Sequence, residues 1–240
     1  MNLSFENVVL KMVKGFRLLI LTVSLVCGFS YLGYHGLTRY NLNTDYQVGD
    51  VLDSLNGVEI YYNGGVNTNE GRNLSLDGYN LGIKYQCVEF VKRYFYLRYQ
   101  HKMPDSFGHA KDFFNDQLPD ASWNEKRALR QYTNGSQSKP MADDLLVFAP
   151  WMFNPYGHVA IIANVTETSV EIAQQNPGPF APSREVFPLV QREGLWYIDA
   201  PRTKGWLRWE APAATMMEGS VEENVEANIQ VNQQAIPLKL

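Results

Sequence analysis

Between Leu18 and Thr38 the chain runs for 21 residues without a formal charge, and its first part, Leu18 to Phe29, is almost continuously apolar. At 1.5 Å per residue such a stretch reaches across a bilayer core of about 30 Å. Lys11, Lys14 and Arg17 precede it with only Glu6 opposing them, and basic residues on that side keep an N-terminus cytoplasmic. The segment therefore reads as a cytoplasmic N-terminus at 1–17 and a single-pass signal anchor at 18–38 that contacts the lipid bilayer. The domain that follows would face the periplasm or the cell exterior. A cleaved signal peptide shares the basic start and apolar run, but the small-x-small sites between Ser24 and Ser30 are weak ones. Cys27 follows Val26, where lipoprotein processing needs a small residue, so it reads as a membrane-embedded thiol. The other alternative is a buried amphipathic helix of a soluble protein. Gly28, Gly33 and Gly36, with Tyr31 and Tyr34, weaken it over the last third.

The opposite end carries Glu218, Glu222, Glu223 and Glu226, one lysine and no aromatic residue over 211–240. Such a stretch buries too little apolar area to offset its ordering entropy and is expected to be a disordered acidic tail. That leaves 46–210 as one folded domain, large enough for its own core and too small for two enzymatic domains. With 21 basic against 25 acidic side chains the chain has no global positive field, so binding of nucleic acid through its phosphates is not expected. The scattered histidines, one domain cysteine and the Asp143-Asp144 pair give no ligand set, so no metal and no cofactor are expected.

Of the two cysteines, Cys27 lies in the apolar span and Cys87 in the domain, so a disulfide is not expected. Apolar residues at 87, 90, 91, 94, 95 and 97 have the spacing of a helix with one buried face, running to about Gln100. The polar run Asn67–Asp77 and the glycines at 78 and 82 before it read as loop, which places Cys87 in the helix's first turn. Free N–H groups and the positive dipole end there favour a thiolate and could hold an oxyanion. The competing reading is a small apolar residue on a core face. Gly157-His-Val-Ala-Ile-Ile-Ala163 reads as a buried strand opening on His158, and Ser169–Asn176 as a second strand ending at Pro177. If the hairpin between them centres near Thr166, His158 falls opposite Gln174, whose amide could hold the imidazole by its second nitrogen. Gln86 is either a loop residue or an oxyanion donor beside the Cys87 N–H. Glu89, Lys92 and Arg93 are either a solvated helix face with i, i+4 pairs or, for the two cations, substrate contacts. Tyr85, Trp151, Phe153 and Tyr156 are core aromatics or walls of a cleft.

Taken together, Tyr85-Gln-Cys-Val-Glu-Phe-Val-Lys-Arg and, 71 residues after the cysteine, Gly157-His-Val-Ala-Ile-Ile resemble the CHAP family of cysteine- and histidine-dependent amidohydrolases and peptidases. Within it they are most similar to the amidase domain of bifunctional glutathionylspermidine synthetase/amidase. Gly57-Val-Glu-Ile-Tyr-Tyr-Asn, Leu145-Leu-Val-Phe and Val170-Glu-Ile-Ala-Gln-Gln-Asn extend the resemblance over roughly 46–209. It implies an α+β, papain-like fold with the cysteine helix packed on an antiparallel sheet that holds the histidine. It also implies Cys87 as nucleophile and His158 as general base and acid, acting on a small peptide–polyamine conjugate or on peptidoglycan peptide. The third catalytic position in the glutathionylspermidine amidases is a glutamate, and here it falls on Gln174. An amide orients the ring without stabilising imidazolium as a carboxylate would. Asn176 is the other candidate for that role. A membrane-anchored binding module with weakened catalysis is the rival reading.

Overall fold

The computed structural model describes residues 5–152 and 154–211; of the tail expected at 211–240, residues 212–240 lie outside the described residues, as does Phe153. One continuous helix, α1 (Phe5–Arg39), occupies the N-terminal part. Val9–Arg39 is long and apolar enough to cross a membrane by length and composition. Among its described side chains the apolar ones are largely exposed: Phe16, Phe29 and Leu32 are 64, 72 and 66% exposed. That is the opposite of what a core helix of a soluble domain requires. Only the last turn docks, where the Asn67 N–H donates to the Thr38 carbonyl at 2.8 Å and Thr38 is buried.

The rest is a helix on an antiparallel sheet, as the α+β expectation requires. Two short hairpins come first, β1 (Val51–Leu55) with β2 (Val58–Tyr61) and β3 (Arg72–Leu74) with β4 (Asn80–Ile83). β3 corrects the loop reading of 67–77: it is polar and three residues long, so it carries no hydrophobic alternation for a sequence reading to find. Helix α2 (Cys87–Tyr99) follows, then a 3-10 turn, Ala110–Phe113. After β5 (Ser122–Asn124) come β6 (Leu129–Thr133), β7 (Leu145–Phe148), β8 (His158–Val165), β9 (Ser169–Ala173), β10 (Arg184–Arg192), β11 (Leu195–Ile198) and β12 (Thr203–Arg208). They form one eight-stranded antiparallel sheet in the order β11-β10-β9-β8-β7-β12-β6-β5.

The central strands are covered on both faces, which is why Leu145–Phe148 and Val159–Ile162 are unbroken apolar runs. Strand alternation sends Leu145, Val147, Val159, Ile161 and Leu207 to one cluster, with Phe90, Val91, Tyr94 and Phe95 of α2. Leu146, Phe148, Ala160, Ile162 and Trp206 go to the cluster on the other face. β4 lies so close to α2 that a Cβ on Gly82, whose φ is +135°, would meet the Glu89 backbone at 3.1 Å. Only glycine permits that approach.

The β8–β9 hairpin differs in register from the one expected. Thr166–Ser169 forms the turn, so Val165 pairs with Val170 and Asn164 with Glu171. A bulge at Ala163 then inserts one residue, and Ile162 pairs with Ile172 and Ile161 with Ala173. A hairpin centred on Thr166 would have paired Ile161 with Glu171. The net slip at the His158 end is two residues, and an even slip keeps each side chain on its face.

Candidate active site

Cys87 is the first residue of α2, behind an extended Gln86. Its side chain is only 9% exposed. Burial pushes the thiol up to about 11, while the backbone amides of Val159, Val88 and Cys87 itself lean on the sulfur and work against that rise. The Val159 contact brings the sulfur within one peptide unit of His158, the first residue of β8.

The imidazole is held by Gln174: His158 Nε2 lies 3.0 Å from Gln174 Oε1. The amide's orientation is set from behind, because its Nε2 donates to the Pro182 carbonyl at 3.2 Å and to Glu185 Oε2 at 3.3 Å. The oxygen therefore faces the ring, the ring Nε2 carries the proton, and Nδ1 is the nitrogen left to accept one. Burial pushes the imidazole down to about 4; the Gln174 bond opposes that and the Arg202 charge adds to it. Both residues thus rest neutral near pH 7. Among the described residues no hydrogen bond joins the Cys87 sulfur to the ring. By strand alternation His158 shares the face of Ala160 and Ile162, whereas α2 packs on the face of Val159 and Ile161. The histidine side chain thus starts from the face opposite the cysteine helix, at the end of β8 where the Val159 amide meets the sulfur.

The remaining sequence candidates fall elsewhere. Gln86 Nε2 donates to the carbonyls of Val66 (3.2 Å) and Thr68 (2.8 Å), and its oxygen accepts from Asn176 Nδ2 at 2.7 Å. Both amide hydrogens are committed to the loop, which leaves the backbone N–H groups at the start of α2 as the donors for an oxyanion. Asn176, at φ +58°, also donates to Val66 at 2.9 Å. Among the described residues it makes no hydrogen bond to the imidazole, and its buried Oδ1 has no hydrogen-bond partner. Gln174 and Asn176 line a small cleft with Tyr61, Tyr62 and Asn63 on one side and Pro177 on the other. Neither Cys87 nor His158 lines that cleft.

Lys92 and Arg93 are not a solvated face. Lys92 is 1% exposed, and its ammonium binds the carbonyls of Asn80 and Ser106. Arg93 is 9% exposed, and its Nε donates to Glu89 Oε1 at 2.6 Å. Lys92 is thus tied to β4 and the 100–109 loop, and Arg93 to Glu89 one turn back on α2, so neither cation is free to meet a substrate in this arrangement. The residue that sequence reasoning missed is Gln175, fully buried. It donates to the Gln86 carbonyl (3.0 Å) and Glu89 Oε2 (2.9 Å) and accepts from the Tyr61 N–H (2.9 Å). A second glutamine, next to Gln174 just past β9, was the available signal. Trp151 and Tyr156 are about half exposed, and Tyr156 packs on His109 at 4.7 Å. Among the described residues no group of three or more His, Cys, Asp or Glu side chains could hold a metal ion.

The comparisons with known proteins agree with the motif pattern. The CHAP domain profile matches residues 77–176. The chain is 28% identical over 156 residues to glutathionylspermidine synthase of Crithidia fasciculata, covering 60% of this chain and 21% of that protein. It is 35% identical over 95 residues to trypanothione synthetase of the same organism, covering 40% and 15%. It is 35% identical over 103 residues to bifunctional glutathionylspermidine synthetase/amidase of Escherichia coli, covering 42% and 16%. The chain thus spans about a fifth or less of the length of these relatives. The stretch that the CHAP domain model matches takes in Cys87, His158 and Gln174.

Proposed function

We propose that this chain is a thiol-dependent amidohydrolase with a papain-like active site, anchored in a membrane by α1. The observation that carries the reading is a buried sulfur at the start of a helix, one peptide unit from a histidine whose Nδ1 is left bare by the Gln174 contact. The CHAP match and the amidase-containing relative support hydrolysis of an amide. Cys87 attacks the amide carbonyl, forming the S–C bond as His158 Nδ1 takes the thiol proton, and N–H groups at the start of α2 bind the oxyanion. The C–N bond then breaks, and His158 gives its proton to the leaving amine. Water adds to the thioester carbonyl while His158 takes its proton, and the sulfur leaves and is reprotonated. Because the resting pair is neutral, proton transfer must accompany attack rather than precede it.

Two substrate classes fit: a glutathionylspermidine-type glycyl–polyamine amide, which the relatives' names point to, and a peptidoglycan peptide, which suits a domain outside the cytoplasm. The rival, a binding module with lost catalysis, draws support from the missing thiol–imidazole bond and the amide at 174. The test is to incubate the full chain in detergent, wild type and Cys87→Ala, separately with glutathionylspermidine and with purified peptidoglycan, and to score new amines by mass spectrometry. Release of spermidine or of muropeptides that requires Cys87 supports the enzyme and selects its substrate. Retention of either ligand by both proteins without any cleavage would establish the binding module instead.

A further inference from the structure

We infer that Glu185 is a positioning residue for His158 and supplies, one side chain further back, the carboxylate that position 174 lacks; this rests on the amidohydrolase reading above. The backbone brings the two together. Glu185 pairs with Ile172 across β9 and β10, and Gln174 lies two residues beyond Ile172 on the same face, within diagonal reach of a long side chain. Its Oε2 accepts from Gln174 Nε2 at 3.3 Å, and Gln174 Oε1 accepts in turn from the His158 ring at 3.0 Å. Carboxylate, amide and imidazole therefore stand in one line. Among the described residues no other hydrogen bond or ion pair engages the Glu185 carboxylate.

The consequence follows from the chemistry of an amide, which has one donating and one accepting end. Turned over, Gln174 would set its oxygen against the Glu185 carboxylate and the Pro182 carbonyl, and its NH2 against the ring. Two acceptors behind the amide exclude that orientation. With the oxygen held toward the ring, the imidazole keeps its proton on Nε2, and Nδ1 stays available as the base. A negative charge behind the amide also polarises it, so that its oxygen is a better partner for the imidazolium formed during turnover. Glu185 touches neither the sulfur nor the site of attack, and it acts through Gln174.

The test uses the full chain in detergent with two readouts, neither of which needs a substrate: the ring-nitrogen NMR shifts of His158, assigned with His158→Gln, and the alkylation rate of the Cys87 peptide by mass spectrometry. Wild type should show the Nε2–H tautomer alone. Glu185→Ala should mix the tautomers and slow alkylation about threefold to tenfold, the effect of one hydrogen bond of ordinary strength. Glu185→Gln, which keeps an accepting oxygen, should lie between. In a Gln174→Glu background the sign reverses: two carboxylates then face each other, and Glu185→Ala should speed alkylation. Unchanged tautomer and rate in Glu185→Ala, or an equal loss in both backgrounds, overturns the relay. The amidohydrolase reading fails separately, on the absence of Cys87-dependent amide cleavage in the wild type.

Discussion

Replacing Glu89 by leucine tests whether α2 is buried on nearly all sides. Its carboxylate accepts from Arg93 Nε (2.6 Å), Asn73 Nδ2 (2.8 Å) and Gln175 Nε2 (2.9 Å), and Glu89 itself is 1% exposed. Removing it leaves the Arg93 guanidinium buried without its counter-charge, which costs about 3–5 kcal/mol. The two amide donors lose an acceptor at about 1 kcal/mol each. The three losses share one site and do not add fully, so about 4–5 kcal/mol is expected, a large share of a typical domain stability. Arg93 keeps a 3.4 Å contact to Gln175 Oε1 and lies over the Tyr61 ring at 4.9 Å, which limits the loss. The assay is denaturant unfolding of the full chain in detergent, followed by tryptophan fluorescence. Adding Arg93→Met should recover most of the lost stability, because a buried pair replaced on both sides by apolar groups is close to neutral. A loss below about 1 kcal/mol for Glu89→Leu alone would refute the burial argument and restore the solvated face.

The two site residues set opposite pH limits on stability. The unfolded chain protonates His158 near 6.5 whereas the fold holds it neutral to about 4. The unfolded state therefore binds more protons in that interval, and stability falls as pH falls from 6.5 to 4, by up to about 3 kcal/mol. Cys87 works the other way: its unfolded thiol ionises from about 8.5 and its folded one near 11, so stability falls as pH rises through that range. His158→Gln should flatten the acid limb and Cys87→Ala the alkaline limb of a stability–pH curve; limbs parallel to wild type would contradict both. Gly205→Ala should cost more than about 3 kcal/mol or prevent folding, since at φ +154° its Cβ would lie 2.0 Å from the Tyr132 carbonyl, and a Tm within a few degrees of wild type would refute that. A reporter fused after residue 40 should be active only in its exported form, and cytoplasmic activity would reverse the proposed orientation.

What the sequence disclosed was local. The spacing of Cys87, Phe90, Val91, Tyr94 and Phe95 is set by helix geometry, and the run Val159–Ile162 by burial on two faces, so both elements were legible without knowledge of their partners. The pairing of His158 with Gln174 survived a wrong register because the turn placement and the Ala163 bulge together moved the strand by an even number of residues. The environments of Glu89, Lys92 and Arg93 were not legible. Charged residues three and four apart look like a solvated face with i, i+4 pairs; the Glu89–Arg93 pair does form, but the three side chains are buried with Asn73, Gln175, Asn80 and Ser106, which only the folded chain brings alongside. Sequence spacing leaves Gln86 open between a loop residue and an oxyanion donor for the same reason: its neighbours in space, Val66, Thr68 and Asn176, lie 18 to 90 positions away.

Those same neighbours tie the site to the N-terminal helix. The loop 63–68 is held to α1 through the Thr38 carbonyl and the Asn67 N–H, and its Gly65 lies so close that a Cβ would meet the Thr38 oxygen at 2.5 Å. Next to Asn67, the Val66 carbonyl accepts from both Gln86 and Asn176. Two hydrogen bonds, Asn67 N–H to the Thr38 carbonyl and Gln86 Nε2 to the Val66 carbonyl, thus link the last turn of α1 to the residue preceding the nucleophile. A tether of free polypeptide would let the domain tumble against its anchor; this arrangement instead fixes the start of α2 relative to the end of α1. If α1 spans a bilayer, the amide that reaches Cys87 must arrive close to the membrane surface. A small conjugate can meet that requirement by diffusion, and a polymer only where it lies against the membrane, so the two substrate classes differ in how much they would depend on the anchor remaining attached.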